Sequence, residues 1–276
     1  MHNYSLFIDK VWQLYDTQKR DLPWRHINEL TALDRGYRVL VSEMMLQQTQ
    51  VSRVVPKYHS WLEQWPTLAD FMEATLADAI VAWSGLGYNR RAKYLFESLH
   101  AVFAQYNGIV PPDVRALTKL PGLGTNTAAA VVVYTHNLPV AFIETNIRTV
   151  YLHEFFPHAK NSITDADILK LVNTTIDTVK PREWFYALMD YGTYIKKTYG
   201  NQLYKSHTYK KQAAFIGSRR QVRGSVILLL RQTVYLTRDE LHRAIDDDRL
   251  DSVLADLIKE GLITSNNTGS YRLASG

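Results

Sequence analysis

Residues 120–129 read Leu-Pro-Gly-Leu-Gly-Thr-Asn-Thr-Ala-Ala. Two glycines, spaced by one residue and preceded by a proline, allow a tight turn whose backbone N–H groups point outward. The small residues that follow start a helix, so the turn stands beside a helix N-terminus and its partial positive charge. Together these features make a nest for phosphate. A bare Gly-x-Gly would fit an ordinary corner between helices; Pro121, the short helices on either side and the small residues after Gly124 favour the nest. The pattern is a helix-hairpin-helix element. Gly122, Leu123, Gly124 and Thr125 are its expected contacts to a DNA backbone, held without reading base sequence.

Working outward, apolar spacing is helical almost everywhere. Pro111-Pro112-Asp113 starts a short helix to about Lys119, and the residues after the turn form a helix through about Tyr134. Leu40, Val41, Met44, Met45, Val51, Val54, Val55 and Tyr58 form one apolar stripe at helical spacing over 40–62. Thr67 caps a short helix through Met72, and Thr75 with Asp78 reads as a capping box for another to Trp83. Gly85 and Gly87 break the chain; a longer helix follows from about Asn89 to Tyr106 and stops at Gly108. Beyond the hairpin, 139–143 (PVAFI) is read as a buried connector rather than a strand. Thr145 or Asn146 caps a helix through Phe155, Thr164 caps one to about Val179, and Pro181 opens one that ends near Gly200.

The chain has 276 residues, 46% hydrophobic and 21% charged, enough to build a core and far from a disordered composition. It has no cysteine, which excludes disulfides, a thiolate zinc site, a cysteine nucleophile and a cysteine-ligated iron–sulfur cluster. No run of apolar residues is long enough for a membrane span. The N-terminus is too polar for a secretory signal, so the expected compartment is the cytoplasm. The net charge is +5, but its excess is local. Thr193–Arg223 holds eight basic residues and no Asp or Glu, interleaved with Tyr194, Tyr199, Tyr204 and Tyr209. This strip is either a solvated linker or a track for a phosphate backbone, with Lys196, Lys197, Lys210 and Lys211 as its contacts.

Composition shifts after Gly200. The expected organisation is a main domain over residues 1–205, a basic linker over 206–217 and a small unit over 218–276. That unit reads as a helix over about 218–232, a helix opened by a Thr237/Glu240 capping box, and a helix from about Leu250 to Glu260. A β-hairpin around Asn266-Asn267-Thr268-Gly269 completes it. Three helices and a hairpin are the winged-helix arrangement, found in both DNA-binding and protein-binding units.

Two carboxyls stand out. Glu43 lies in Ser42-Glu43-Met44-Met45-Leu46-Gln47-Gln48-Thr49-Gln50-Val51. An exposed helix end is the plain alternative. A carboxyl beside Met44, Met45 and Leu46 is partly desolvated, which raises its pKa and suits it to general acid catalysis. The neighbouring glutamines suit the gap left by an extruded base. Glu144 heads Glu144-Thr145-Asn146-Ile147-Arg148, where a helix N-terminus favours the ionised form. Two carboxyls in a cleft are what N-glycosidic cleavage needs: one protonates the leaving base, the other stabilises an oxocarbenium-like sugar. Spacing alone leaves that pairing open.

From about Leu22 to Gly200 the chain resembles the helix-hairpin-helix (HhH-GPD) DNA glycosylase superfamily, and within it the MutY-type adenine DNA glycosylases. The matching segments are Leu22-Pro23-Trp24-Arg25, residues 42–51, Gly85-Leu86-Gly87-Tyr88-Asn89-Arg90-Arg91-Ala92, residues 120–124, and Ala187-Leu188-Met189-Asp190-Tyr191-Gly192. The resemblance implies an all-α, two-lobed fold with the winged-helix-like unit appended, and a flipped base held between the lobes. It implies that Glu43 protonates adenine N7, that Gln48 and Tyr88 intercalate with Gln47 and Thr49 beside them, and that Trp24, Arg25 and Asp190 surround the base. Glu144 matches the catalytic aspartate and Asn146 a nearby asparagine. Asn126 stands where bifunctional lyase relatives carry a lysine, so a monofunctional glycosylase is expected.

Three departures are visible. Glu144 is one methylene longer than aspartate, enough to displace the charge by about 1 Å, a misplacement that costs on the order of 10²-fold. The cluster-binding cysteines are absent, with Lys196 and Lys197 where they would begin; no cofactor or metal is expected, and the basic strip is expected to take over DNA contact. The winged-helix-like unit replaces the Nudix-like module that recognises 8-oxoguanine. The expected partner is duplex DNA with a mismatched or damaged base, bound by a monomer with no membrane association. Adenine opposite guanine or 8-oxoguanine is the first expectation; a mismatch thymine or uracil glycosylase and a non-catalytic DNA-binding protein are the alternatives.

Overall fold

The computed structural model describes residues 4–160, 162–207 and 214–275. Its helices run α1 (Tyr4–Gln18), α2 (Ala32–Leu46), α3 (Val51–Gln64), α4 (Leu68–Phe71), α5 (Leu76–Trp83), α6 (Arg90–Tyr106), α7 (Val114–Leu117), α8 (Thr125–His136), α9 (Thr145–Phe155), α10 (Asp165–Thr175) and α11 (Pro181–Tyr199). Then come α12 (Arg219–Leu230), β1 (Leu236–Thr237), α13 (Arg238–Ala244), α14 (Leu250–Lys259), β2 (Ile263–Ser265) and β3 (Ser270–Leu273). The described residues fall into two compact units. One draws on Met1–Arg25, Pro111–Lys119 and Leu123–Lys211; the other on His26–Val110, Leu120–Gly122 and Gln212–Gly276.

The first unit is built on α11, which packs against α9 and α1. Its core is aromatic: Phe7 meets Phe155 edge-on at 4.9 Å, and Phe142 stacks on Phe185 at 4.3 Å. α8 buries every residue from Ala128 to Thr135, which is why its sequence shows no polar face. α11 and the start of α9 approach so closely that a Cβ on Gly192 would lie 2.4 Å from the Asn146 carbonyl oxygen. Only glycine fits there.

In the second unit α2 packs on α3 and α6, and α5 on α6. Trp61 stacks on Phe71 at 5.2 Å and meets Trp65 at 4.7 Å, while the Trp61 indole N–H donates to the Tyr37 hydroxyl at 2.9 Å. The C-terminal residues belong to this unit too. α12 packs on α14, and the sheet has strand order β1-β3-β2, antiparallel throughout. Ile263 pairs with Leu273 and Leu236 with Tyr271.

The capping residues act as their spacing predicts. Thr67, Thr75, Thr164 and Thr237 each exchange hydrogen bonds with the acidic residue three positions on. The 139–143 segment is a connector, and the C-terminal hairpin forms, with Asn266 Oδ1 accepting the Thr268 and Ser270 N–H groups. Three features refine or correct the sequence reading. The stripe over 40–62 spans two helices, broken at 47–50 with Gln48 at φ 53°. The cause is the buried Arg91 guanidinium, which donates to the Met44, Met45 and Gln47 carbonyls and ends α2. α10 stops at Thr175 rather than Val179, because Asp177 turns the chain by accepting the Val179 and Lys180 N–H groups. Finally, the hairpin gains a third strand in β1, too short to show in sequence.

Candidate active site

In the second unit, Glu43 lies one turn before the end of α2, half-buried between buried Ser42 and Met44. The turn that follows carries the glutamines. Gln47 is held inward, its side-chain amide donating to the Gly122 carbonyl at 3.2 Å. Gly122 itself has φ 77°, and a Cβ there would lie 2.8 Å from Met44 Cε and Tyr94 Cβ, so this corner of the hairpin requires glycine. Gln48 is exposed and left-handed. Tyr88, on the loop before α6, is also left-handed at φ 49° and 38% exposed. Four non-glycine residues among those described have positive φ: Asn107 and Asn137 at helix C-caps, where asparagine tolerates it, and Gln48 and Tyr88, the two expected to enter the duplex.

Arg91 organises both turns, a role sequence reasoning did not assign. Besides its bonds to the end of α2, it donates to Thr49 Oγ1 at 3.0 Å and to the Gly87 carbonyl at 3.2 Å. Its guanidinium lies 5.1 Å from the Trp83 ring and 5.5 Å from that of Tyr88. Burial pulls its pKa down to about 10. The available signal was an arginine in the first turn of α6, inside an already matched segment.

In the first unit, α8 begins at Gly124, where no side chain supplies a cap. Gly124, Thr125 and Asn126 are exposed and Leu123 is buried. Asn126 Oδ1 accepts the Ile143 N–H at 3.2 Å, tying α8 to the connector that leads into Glu144.

Glu144, not Thr145 or Asn146, caps α9. Its Oε1 accepts the Asn146 N–H at 2.6 Å and the Ile147 N–H at 3.2 Å. The extra methylene is absorbed by folding the carboxylate back over its own helix end. Burial pushes the Glu144 carboxyl above its ordinary range, against the two N–H bonds and the Lys196 ammonium. The helix-end effect expected to favour ionisation is therefore present but outweighed. Lys196 Nζ donates to Asn146 Oδ1 at 2.6 Å, and burial lowers its pKa despite Glu144.

Asp190 is 4% exposed and saturated with donors. Arg25 holds it with two bonds, at 2.8 and 2.9 Å, while Arg20 adds its backbone N–H at 3.0 Å and its guanidinium. Burial pushes Asp190 up, but the hydrogen bonds and charges of Arg25 and Arg20 prevail and hold it below the usual carboxylate range. The Arg25 guanidinium lies 4.5 Å from the Tyr186 ring, and Trp24 is buried.

The basic strip is not a continuous exposed track. Lys196 turns onto Asn146, and Lys205 is 3% exposed with its ammonium near the Leu152 carbonyl. Arg219 pairs with Asp256 and Arg223 with Glu260. Lys197 is exposed. Lys210 and Lys211 lie outside the described residues.

Residues 41–174 match the HhH-GPD superfamily base excision DNA repair proteins. The chain is 34% identical to the adenine DNA glycosylase of Mycolicibacterium smegmatis, across 94% of this chain and 93% of that protein. The chain belongs to the adenine DNA glycosylase family of this superfamily. As a DNA glycosylase it is an enzyme that hydrolyses N-glycosidic bonds. The glycosylase is also 29% identical to the Mycobacterium tuberculosis adenine DNA glycosylase, across 94% and 90%, and 32% identical to the human one, across 68% and 35%. Among solved structures, a thermostable thymine-DNA glycosylase superposes with TM-score 0.59 at 24% identity, covering 68% of this chain and 85% of that one. A trapped endonuclease III–DNA covalent intermediate gives 0.54 at 17%, covering 80% and 94%. These two likenesses show the fold alone. A cysteine-ligated iron–sulfur cluster does not fit this glycosylase, because its sequence has no cysteine. No described helix is long and apolar enough to cross a membrane.

Proposed function

We propose that this glycosylase removes adenine mispaired with guanine or 8-oxoguanine from duplex DNA, leaving an abasic site and an unbroken strand. Glu43 gives its proton to adenine N7, so the electrons of the breaking C1′–N9 bond leave with a neutral base. Glu144, ionised, stabilises the positive charge that grows at C1′. Water then bonds to C1′ and releases a proton to solvent. Asn146, held by Lys196, positions this end of the site. Asn126 cannot form a Schiff base, so strand cleavage does not follow. Arg25 and Asp190, locked together beside Trp24 and Tyr186, shape the wall against the base. Gln48 and Tyr88 fill the distorted duplex, and the hairpin residues Gly122, Leu123, Gly124 and Thr125 hold its backbone. Residues 1–205 carry this chemistry, with 218–276 as a winged-helix-like unit, in a cytoplasmic monomer.

The observation that carries the reading is the Glu144 carboxylate, half-buried at a helix N-terminus with Lys196 and Asn146 around it, in a chain so similar to adenine DNA glycosylases. The test is one panel of labelled duplexes with A, T, U or hypoxanthine opposite G, 8-oxoguanine or C, followed by alkali. Strand breaks at A opposite G and 8-oxoguanine are expected. Breaks at T or U instead would reassign the substrate, and tight binding with no breaks would make the chain a DNA-binding protein.

A further inference from the structure

Tyr88 is held from a part of the chain that lies far away in sequence. Arg220, in the first turn of α12, donates from Nη1 to the Tyr88 hydroxyl at 2.7 Å. Its guanidinium carbon lies 5.6 Å from the Tyr88 ring centroid, within cation–π range. Its Nη2 reaches the Ala214 carbonyl at 3.4 Å. α12 is itself fastened beside this loop. Glu260, just after α14, pairs with Arg223 of α12 and with Arg90, two residues beyond Tyr88. The Glu260 carbonyl also accepts Lys93 Nζ at 2.8 Å. All of these residues belong to one compact unit.

We infer that Arg220 is a positioning residue for Tyr88, and that the C-terminal region serves the glycosylase by presenting this side chain. The physical need is plain. A tyrosine in left-handed backbone is poorly populated on its own, and an exposed ring that must enter a base stack loses rotamer freedom when it does so. A guanidinium that donates to the hydroxyl and lies within cation–π range of the ring restrains the side chain before DNA arrives, so less ordering remains at binding. Arg91 holds the loop backbone through Gly87, and Arg220 holds the ring. The inference rests on Tyr88 being the wedge in the function proposed above.

The test uses the full chain and a duplex carrying 2-aminopurine next to an A•8-oxoguanine pair, whose fluorescence rises when the base unstacks. Arg220→Ala should cut both the fluorescence rise and the single-turnover excision rate by about ten-fold, the scale of one charged hydrogen bond. Affinity for undamaged duplex and its salt slope should stay as in the parent. In a Tyr88→Ala background, Arg220→Ala should have no further effect. Arg220→Lys, which keeps the charge without the planar group, should resemble Arg220→Ala, and it provides the reading if the alanine variant folds poorly. An equal loss with and without Tyr88, a flattened salt slope or full rescue by lysine would make Arg220 a direct phosphate contact and overturn the inference. A parent that excises no base defeats the proposed function, while the fluorescence cycle still tests the coupling. A parent that unstacks nothing defeats both.

Discussion

Two helices of the same compact unit begin in opposite ways. α8 starts at exposed Gly124, with no side chain to cap it. α9 starts at Glu144, whose own carboxylate accepts the Asn146 and Ile147 N–H groups. Both ends carry the same partial positive charge. One side chain decides what that charge does. In the proposed function, the end without a side-chain cap is left for a phosphate from outside. The end with a carboxylate fixes a negative charge at a defined place, which that function uses for a cationic sugar and not for grip. Grip and chemistry are, in that function, separated by the residue just before each helix.

That separation predicts that carboxylate changes affect rate and not binding. The largest effect is expected at Glu43, the proposed acid. Glu43→Gln should lower single-turnover excision by about 10²–10⁴-fold, the range of general acid catalysis. Duplex affinity should be preserved. A rate within a few-fold of the parent would remove Glu43 from the mechanism.

A third carboxylate, Asp190, shows what full pairing does. It faces Arg25 with side chains 2% and 8% exposed. Arg25→Ala leaves a buried charge short of donors, and should cost about 3–5 kcal/mol of stability in a denaturant titration. The pH dependence has a definite sign. Because the folded pKa of Asp190 lies below its unfolded value, its stabilisation is present above the unfolded pKa of 3.8 and is lost as pH falls through the folded one. The parent should therefore lose stability over that acid window, and Arg25→Ala should show a weaker dependence there. Parallel curves for the two proteins would mean that the pair is not what holds Asp190.

Glu144 comes next. Glu144→Gln keeps an acceptor for the helix end and removes the charge, so excision should fall by about 10²-fold while the fold changes little. Burial has raised the Glu144 pKa. Activity should accordingly fall, as pH drops, at a pH above the ordinary glutamate range. The Gln variant should lack that limb of the rate profile. A Gln variant as fast as the parent would leave the α9 end with a capping role only.

These elements also show what a sequence can disclose. The hairpin at 120–124 and the Thr75/Asp78 and Thr237/Glu240 capping boxes were legible because each is complete within four or five residues. The end of α2 was open only as an alternative, because it depends on Arg91, remote in sequence, and no glycine or proline marks it. The cap of α9 was misplaced by one or two residues, since a glutamate was read for its charge and not for its reach. Lys196 and Lys205 counted as part of a basic strip, yet one bonds Asn146 and the other is buried. Charge runs reveal composition; which way each side chain turns depends on partners that only the fold brings near. Asp190 was identified by resemblance, but Arg20, its second partner, was not.

The smallest expected effect is also the most direct test of the two helix ends, because it converts one into the other. Gly124 has φ −74° and ψ 170°, a capping conformation open to any residue, and a Cβ there would meet nothing within 4 Å. Gly124→Asp can therefore place a carboxylate over the first N–H groups of α8, as Glu144 does for α9. The helix should gain about 0.3–1 kcal/mol from the charge at its N-terminus, read as a higher melting temperature. The same charge should repel a phosphate and occupy its donors. Affinity for undamaged duplex should fall, and the slope of log K against log salt should flatten by up to about 0.9, one phosphate contact. Gly124→Asn separates the two causes: it caps without charge, so it should take the donors but spare the repulsion, and weaken binding less. If Gly124→Asp binds duplex as tightly as the parent with the same salt slope, the open end of α8 holds no phosphate, and the contrast with α9 is one of stability alone.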